Sequence, residues 1–344
     1  MKETDLLSVV QQAWHAYDAS RVPVSIQDIS AKVSTNHVYK LVFDDHSFLV
    51  AKLSWFGTYE HFKEDHNIIH VLSNKLTGQF EHFLADSLLA GDEVFTYRHI
   101  EGGADVWVVF YYPVKVNTML PRRLEETHIQ NLAQQMALFH KACADVTTHL
   151  PKASKTLQSD VIDLQEIIRE QGSSDKDFEM VKRQCDSFLK NVEVLGYKSF
   201  TRIPVFVDWN IGNFSIGEDG AFYSRWDYDW FRVCSRVVDF YFMSRVVSDI
   251  GDRTVFSYLA DPLMEPRFIL FLKHYHQVYP LQPTEVRFIK EAYRFFILNY
   301  VVKYGWQFFR PSYAFQLQNE AFNLYLPQID KAFDAEKLLR ELSL

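Results

Sequence analysis

Cysteine is scarce: Cys143, Cys185 and Cys234 are the only three in 344 residues, and they form neither a CxxC pair nor a disulfide framework. That excludes a small disulfide-stapled scaffold and fits a reducing compartment. Positive charge is also short, since 36 Lys and Arg face 44 Asp and Glu for a formal net charge of −8. Such a chain carries no field that would gather nucleic acid or an anionic bilayer. A run of about 18 uncharged apolar residues, which a membrane-spanning helix would need, is missing. The opening Met-Lys-Glu-Thr-Asp leads into a helical pattern rather than a charged-then-apolar signal. The expectation is a soluble, cytoplasmic protein without nucleic-acid or membrane partners. Internal repeats and low-complexity tracts are missing too.

Aromatic side chains, by contrast, are abundant. With 29 Phe, 18 Tyr and 7 Trp in a chain that is 48% hydrophobic, a large core can be built and disorder is ruled out. The length suits two lobes or two packed domains.

Residues 4–19 read as an amphipathic helix through Leu6, Leu7, Val10 and Trp14. Segments 38–43 and 48–53 are β-branched and alternating, and they bracket Asp44-Asp45-His46 as a hairpin would. A helix over 58–76 follows, then two further strands at 94–100 and 106–112. Beyond Pro113 the period changes to that of helices, at 126–145, 155–170, 176–192, 263–278, 284–308 and 316–341. Two β-like pieces interrupt them, 203–216 and 221–230, separated by the turn Gly217-Glu218-Asp219-Gly220.

Those two pieces carry the polar groups that phosphoryl transfer requires: a carboxylate at the attacking hydroxyl and oxygen ligands for Mg²⁺. In Val207-Asp208-Trp209-Asn210-Ile211-Gly212-Asn213 a carboxylate precedes an amide by five residues after an apolar strand. Asp208 would accept or orient the hydroxyl proton, and Asn213 would offer its oxygen to the metal. Fourteen residues later, Asp227 stands between Trp226 and Tyr228 as the main Mg²⁺ ligand. Asp229 either assists with metal or caps a turn.

On these residues the chain resembles the aminoglycoside phosphotransferase and choline kinase-like family, over nearly its whole length. The family's His-Gly-Asp-x-x-x-x-Asn loop is matched by Phe206 to Asn213, and its Ile-Asp-aromatic-acidic segment and later Asp by Trp226–Asp229 and Asp239. The resemblance implies that Asp239 braces the catalytic loop or starts a helix. Ser34, Thr35 and Asn36 resemble the phosphate loop, and Lys52 in Val50-Ala51-Lys52 resembles the strand lysine on the α/β-phosphates. Glu64 is the implied partner of Lys52, with Glu60 the second choice. Phe110 and Tyr112, beside the hinge at 112–114, are implied nucleotide contacts. Asn131 to Lys141 resembles a helix ending in Leu-Ala-x-Leu-His, which makes His140 structural. The stretch from Tyr279 through Trp306 resembles acceptor-covering helices of homoserine kinase-like members.

The resemblance implies an α+β, bilobal protein-kinase-like fold, with a small β-rich N-lobe over 1–111 and a larger, mainly helical C-lobe over 112–344. It also implies an enzyme that uses ATP and Mg²⁺ to phosphorylate a hydroxyl of a small molecule: an amino alcohol, amino acid, sugar or aminoglycoside. Phe206-Val207 stands in place of His-Gly and the phosphate loop lacks glycine. Those departures keep open an alternative, a kinase-like protein that binds nucleotide or a partner without turnover.

Overall fold

The computed structural model describes residues 5–31, 33–171, 176–249 and 257–344. Thr4, the expected first residue of the opening helix, lies outside them. Helix α1 (Leu6–Tyr17) starts where the Asp5 carboxylate accepts from the Leu7 N–H, and it buries Val9, Val10, Ala13 and Trp14. These side chains cover one face of a five-stranded antiparallel sheet. Its strands are β1 (Ser25–Asp28), β2 (His37–Val42), β3 (Phe48–Ser54), β6 (Thr96–Glu101) and β7 (Ala104–Tyr111), in the order β1-β2-β3-β7-β6. A two-stranded ribbon, β4 (Leu89–Ala90) and β5 (Glu93–Val94), precedes β6. The expected 38–53 hairpin is the β2/β3 pair, with Val38 opposite Lys52.

Strand alternation assigns the two faces of this sheet. Ala51 lies opposite Phe110, and both belong to the core under α1 with Trp14, Leu41 and Val108. Lys52 lies opposite Val109, so it projects from the other face. That face receives α2 (Tyr59–Lys75), capped by the Thr58 hydroxyl and buried through Phe62, Ile68, Ile69 and Leu72.

The C-lobe is helical. It contains α3 (Glu126–Val146), α4 (Leu157–Gln171), α5 (Lys176–Val194), α6 (Phe240–Val247), α7 (Pro266–Val278) and α8 (Pro283–Phe296). Helix α3 packs along α7 and against the strand at Arg202–Val205. Between α5 and α6 come β8 (Arg202–Val205), β9 (Phe214–Ile216), β10 (Phe222–Arg225) and β11 (Arg232–Ser235); β8 pairs with β11 and β9 with β10.

The expected helix over 284–308 is not continuous: α8 passes into a π-helical stretch at Ile297–Lys303, closed by a bond from Tyr304 N–H to the Asn299 carbonyl at 3.0 Å, and then into α9 (Gly305–Phe308). The expected 316–341 helix is likewise divided. It becomes α10 (Pro311–Glu320), a π-turn, α11 (Leu326–Ala332) and α12 (Ala335–Leu342), with Asp334 capping the last. No helix among the described residues is long and apolar enough to cross a membrane.

Candidate active site

The loop after β8 hangs from one buried carboxylate. Asp239 Oδ1 accepts from the backbone N–H groups of Phe206 (3.1 Å) and Val207 (2.7 Å). Its other oxygen lies 3.0 Å from His140 Nε2, and His140 Nδ1 lies 2.7 Å from the Tyr275 hydroxyl. His140 and Asp239 are wholly buried, and burial pulls the imidazole pKa below its ordinary value. Asp239 thus braces the loop, and His140 holds Asp239. Phe206 fills the remaining space against Phe139, Trp209, Tyr228 and Phe231. Val207 adopts φ +61°. A β-branched residue in the left-handed region is strained.

From there the chain turns back on itself. Asp208 Oδ1 accepts from the Asn210 N–H (3.1 Å), and the Asn213 N–H donates to the Asn210 carbonyl (2.9 Å). Asn213 Nδ2 donates to the Asp208 carbonyl at 3.4 Å, which leaves the amide oxygen as the atom a cation would meet. The Trp226 N–H donates to the Asn213 carbonyl at 3.0 Å, so Asn213 and Asp227 lie on neighbouring segments.

Lys52 completes the cluster from the sheet above. Its ammonium lies 2.7 Å from Asp227 Oδ1 and 2.6 Å from Asp229 Oδ1. Burial opposes its charge, but the two carboxylates hold its pKa above the ordinary lysine value. Burial also pushes the Asp229 carboxyl up, to about 6, whereas in Asp227 burial is outweighed by Lys52 together with the Asp229 N–H and Arg225, and the pKa is lowered. Asp227 sits at φ +69°. Its side chain is 38% exposed, so a cation can still reach it. Asn36 links the same group, donating to Asp229 and accepting from Ser54 Oγ at 2.8 Å.

Several expected contacts are arranged otherwise. Glu64 does not pair with Lys52: it accepts from Ser154 N–H (2.8 Å) and Oγ (3.0 Å), while Glu60 pairs with Arg98. At its place on α2 the side chain faces the 154–155 segment, and the acid beside Lys52 comes from Asp229 instead. Phe110 projects under α1 against Trp14, on the opposite face of the sheet from Lys52, so its ring is turned away from the Lys52 cluster. The Tyr112 N–H donates to the Asp86 carbonyl at 2.9 Å, and its side chain is exposed. Of the expected phosphate loop, Ser34 bridges to Phe309 and the Thr35 N–H donates to the Phe308 carbonyl at 2.8 Å. Only Asn36 reaches the Lys52 cluster.

Sequence reasoning missed Arg225, wholly buried beneath the loop with Nη2 donating to the Asp208 carbonyl at 2.9 Å. The signal was a lone charge inside the alternating run Phe222-Tyr223-Ser224-Arg225-Trp226. It also missed His66, which stands 2.6 Å from the Tyr111 hydroxyl behind Lys52.

No protein-family model matches the chain, and no curated protein matches it in sequence. Solved structures do match. The chain is similar to an amicoumacin kinase in complex with AMP-PNP, Ca²⁺ and Ami, with 97% of each chain covered, a TM-score of 0.64 and 14% identity. It is similar to the GDP complex of wild-type aminoglycoside 2'-phosphotransferase-IIIa, with 93% of this chain and 99% of that one covered, TM-score 0.55 and 12% identity. A Plasmodium vivax ethanolamine kinase matches with 99% of this chain and 88% of that one covered, TM-score 0.55 and 12% identity. At such identities the likeness is one of fold. The chain has the bilobal protein-kinase-like fold shared by the aminoglycoside phosphotransferase and choline kinase-like small-molecule kinases.

Proposed function

We propose that the protein is a phosphotransferase that moves the γ-phosphoryl group of ATP, with Mg²⁺, to a hydroxyl of a small molecule. One observation carries this reading. A lysine from the sheet, an acid from the loop after β10 and a carboxylate–amide loop after β8 are linked by the 2.7 Å Lys52–Asp227 pair and the 3.0 Å Trp226–Asn213 bond.

In this reading residues 1–111 clamp the nucleotide and 112–344 carry the acceptor. Lys52 neutralises phosphate charge, with Ser34, Thr35 and Asn36 as the loop above it. Asp208 takes or orients the acceptor proton, and it is held in place by the turn that Asn210 and Asn213 close. The Asp227 carboxylate and the Asn213 amide oxygen are hard oxygen donors of the kind Mg²⁺ takes. Among the described residues no three His, Cys, Asp or Glu side chains form a self-contained metal cage. A cation shared between one or two protein oxygens and substrate phosphates needs none. When bound, Mg²⁺ would offset phosphate charge. Amino alcohols, amino acids, sugars and aminoglycosides are the acceptor classes that fit, and the amicoumacin, aminoglycoside and ethanolamine kinases of like fold span part of that range.

A second reading, nucleotide binding without turnover, is favoured by the Thr35 N–H, which is occupied by the Phe308 carbonyl, and by the strained Val207. An acceptor screen read by ADP release separates the two. Turnover with an acceptor that falls about 100-fold in Asp208→Asn, with ATP affinity retained, supports the phosphotransferase. ATP·Mg²⁺ binding with no ADP release from any acceptor supports the second reading.

A further inference from the structure

Strand β10 ends on a cation whose surroundings are those of a positioning device. The Arg225 guanidinium carbon lies 4.1 Å from the ring centroid of Trp209 and 4.6 Å from that of Phe206. Both rings flank Asp208 in the loop, and neither offers a polar atom to the Asp208 backbone. Arg225 Nη2 does, donating to the Asp208 carbonyl at 2.9 Å. Its Nε and Nη1 have no hydrogen-bond partner although the residue is wholly buried. A hydrocarbon would fill the same space without burying a charge and two unpaired donors. Burial accordingly lowers the guanidinium pKa, opposed by the charges of Asp239, Asp208 and Asp227.

The backbone of Arg225 is as firmly tied as its tip. Its N–H donates to the Phe83 carbonyl at 2.6 Å, and its carbonyl accepts from the Ala85 N–H at 3.0 Å and the Tyr228 hydroxyl at 3.0 Å. The same 83–88 segment is pinned to the end of β7, where the Leu88 N–H donates to Phe110 and the Tyr112 N–H donates to Asp86, each at 2.9 Å. Hydrogen bonds therefore link the end of β7, through the 83–88 segment and Arg225, to the carbonyl of Asp208.

We infer that Arg225 is a positioning residue: packed against the rings of Phe206 and Trp209 and anchored to the 83–88 segment, its guanidinium sets the height of Asp208 relative to that segment. The inference rests on the reading of Asp208 as the residue that meets the acceptor hydroxyl. The two rings, 83° apart in plane, meet the cation from two sides, and its directed N–H grips one carbonyl, a combination that packing alone does not provide.

The test uses the full chain with Arg225→Met and Arg225→Lys. Thermal unfolding, ADP release from ATP and Mg²⁺ with and without acceptor, and amide hydrogen exchange resolved over 206–213 are measured. The expected result for folded Arg225→Met is an ATP KM within threefold of the parent and turnover at least tenfold lower. The Asn210 and Asn213 amides should exchange at least tenfold faster, with exchange in α7 and α8 unchanged. Arg225→Lys should recover part of both effects, because an ammonium can reach the carbonyl but lacks the rigid fork of donors of a guanidinium. Parental loop exchange in a folded Arg225→Met overturns the inference, as does a uniform rise across the C-lobe, which marks plain packing. If Arg225→Met does not fold, Arg225→Lys is judged by the same criteria, and failure of both to fold also overturns it. A parent chain that releases no ADP with any acceptor sinks the phosphotransferase reading, yet the loop exchange still decides the role of Arg225.

Discussion

Lys52 places its ammonium 2.6 Å from the Asp229 carboxylate, across 177 positions of sequence and within a cluster that also includes Asp227 and Asn36. The lysine's second acid comes from the loop after β10, and the acids on α2 are engaged elsewhere. Asp229→Asn should therefore loosen Lys52 and weaken ATP binding by about tenfold, or ~1.4 kcal/mol. Glu64→Ala should leave ATP affinity within about twofold, because that side chain bonds Ser154. Calorimetric titration with ATP and Mg²⁺ checks both, and a larger loss in Glu64→Ala than in Asp229→Asn would reverse the assignment.

Val207 gives a test of backbone strain. At an ordinary position glycine is less stable than alanine by roughly 0.5–1 kcal/mol. At φ +61° the order should invert. Both Val207→Ala and Val207→Gly lose the buried side chain, but only glycine relieves the left-handed conformation, worth about 1–2 kcal/mol. Val207→Gly should unfold at higher urea than Val207→Ala, and the opposite order would show that the strain is absent.

Phe206 is wholly buried among four aromatic rings and the Arg225 guanidinium. Phe206→Ala should cost about 3–5 kcal/mol through the cavity it leaves. Phe206→His should cost less, since the imidazole keeps most of the volume. Equilibrium denaturation measures both, and a thermally silent Phe206→Ala would contradict the packing.

Acid should weaken the protein through His66. Burial lowers its pKa from 6.5 to about 4, and the Lys52 and Lys155 ammoniums add to the effect, against the opposing bond to the Phe62 carbonyl. Between those values the unfolded chain binds more protons than the folded one, so stability falls as pH drops. The contribution is present above about pH 6.5 and is lost toward pH 4. At 1.36 kcal/mol per unit it amounts to about 3 kcal/mol. Denaturation midpoints taken from pH 7 to pH 4 should fall more steeply in the parent than in His66→Gln, and parallel slopes would contradict the assignment.

Much of the architecture was legible because it is local. The β2/β3 hairpin, α2, α3 and β8 all follow from apolar periodicity and turn residues, which act over a few positions. The two longest C-terminal helices were less legible, because the π-turns at 297–303 and 321–325 leave no mark in a hydrophobic repeat. The spacing from Asp208 to Asn213 likewise marked a single tight turn, and the bonds from Asn210 and Asn213 to Asp208 and Asn210 close it.

What the sequence by itself determined is which short segments become strand, helix or turn, and which polar residues stand at the ends of β8 and β10. Tertiary structure alone decided which of those residues meet. Phe110 turned away from Lys52 because strand pairing put it opposite Ala51, beneath α1. Lys52 found Asp229, Asp239 found the amides of Phe206 and Val207, and Arg225 found the carbonyl of Asp208. Each of these bonds joins groups brought together by packing of separate elements. A buried charge accepts whichever opposite charge or dipole the fold delivers within about 3 Å, and sequence spacing carries no record of that distance.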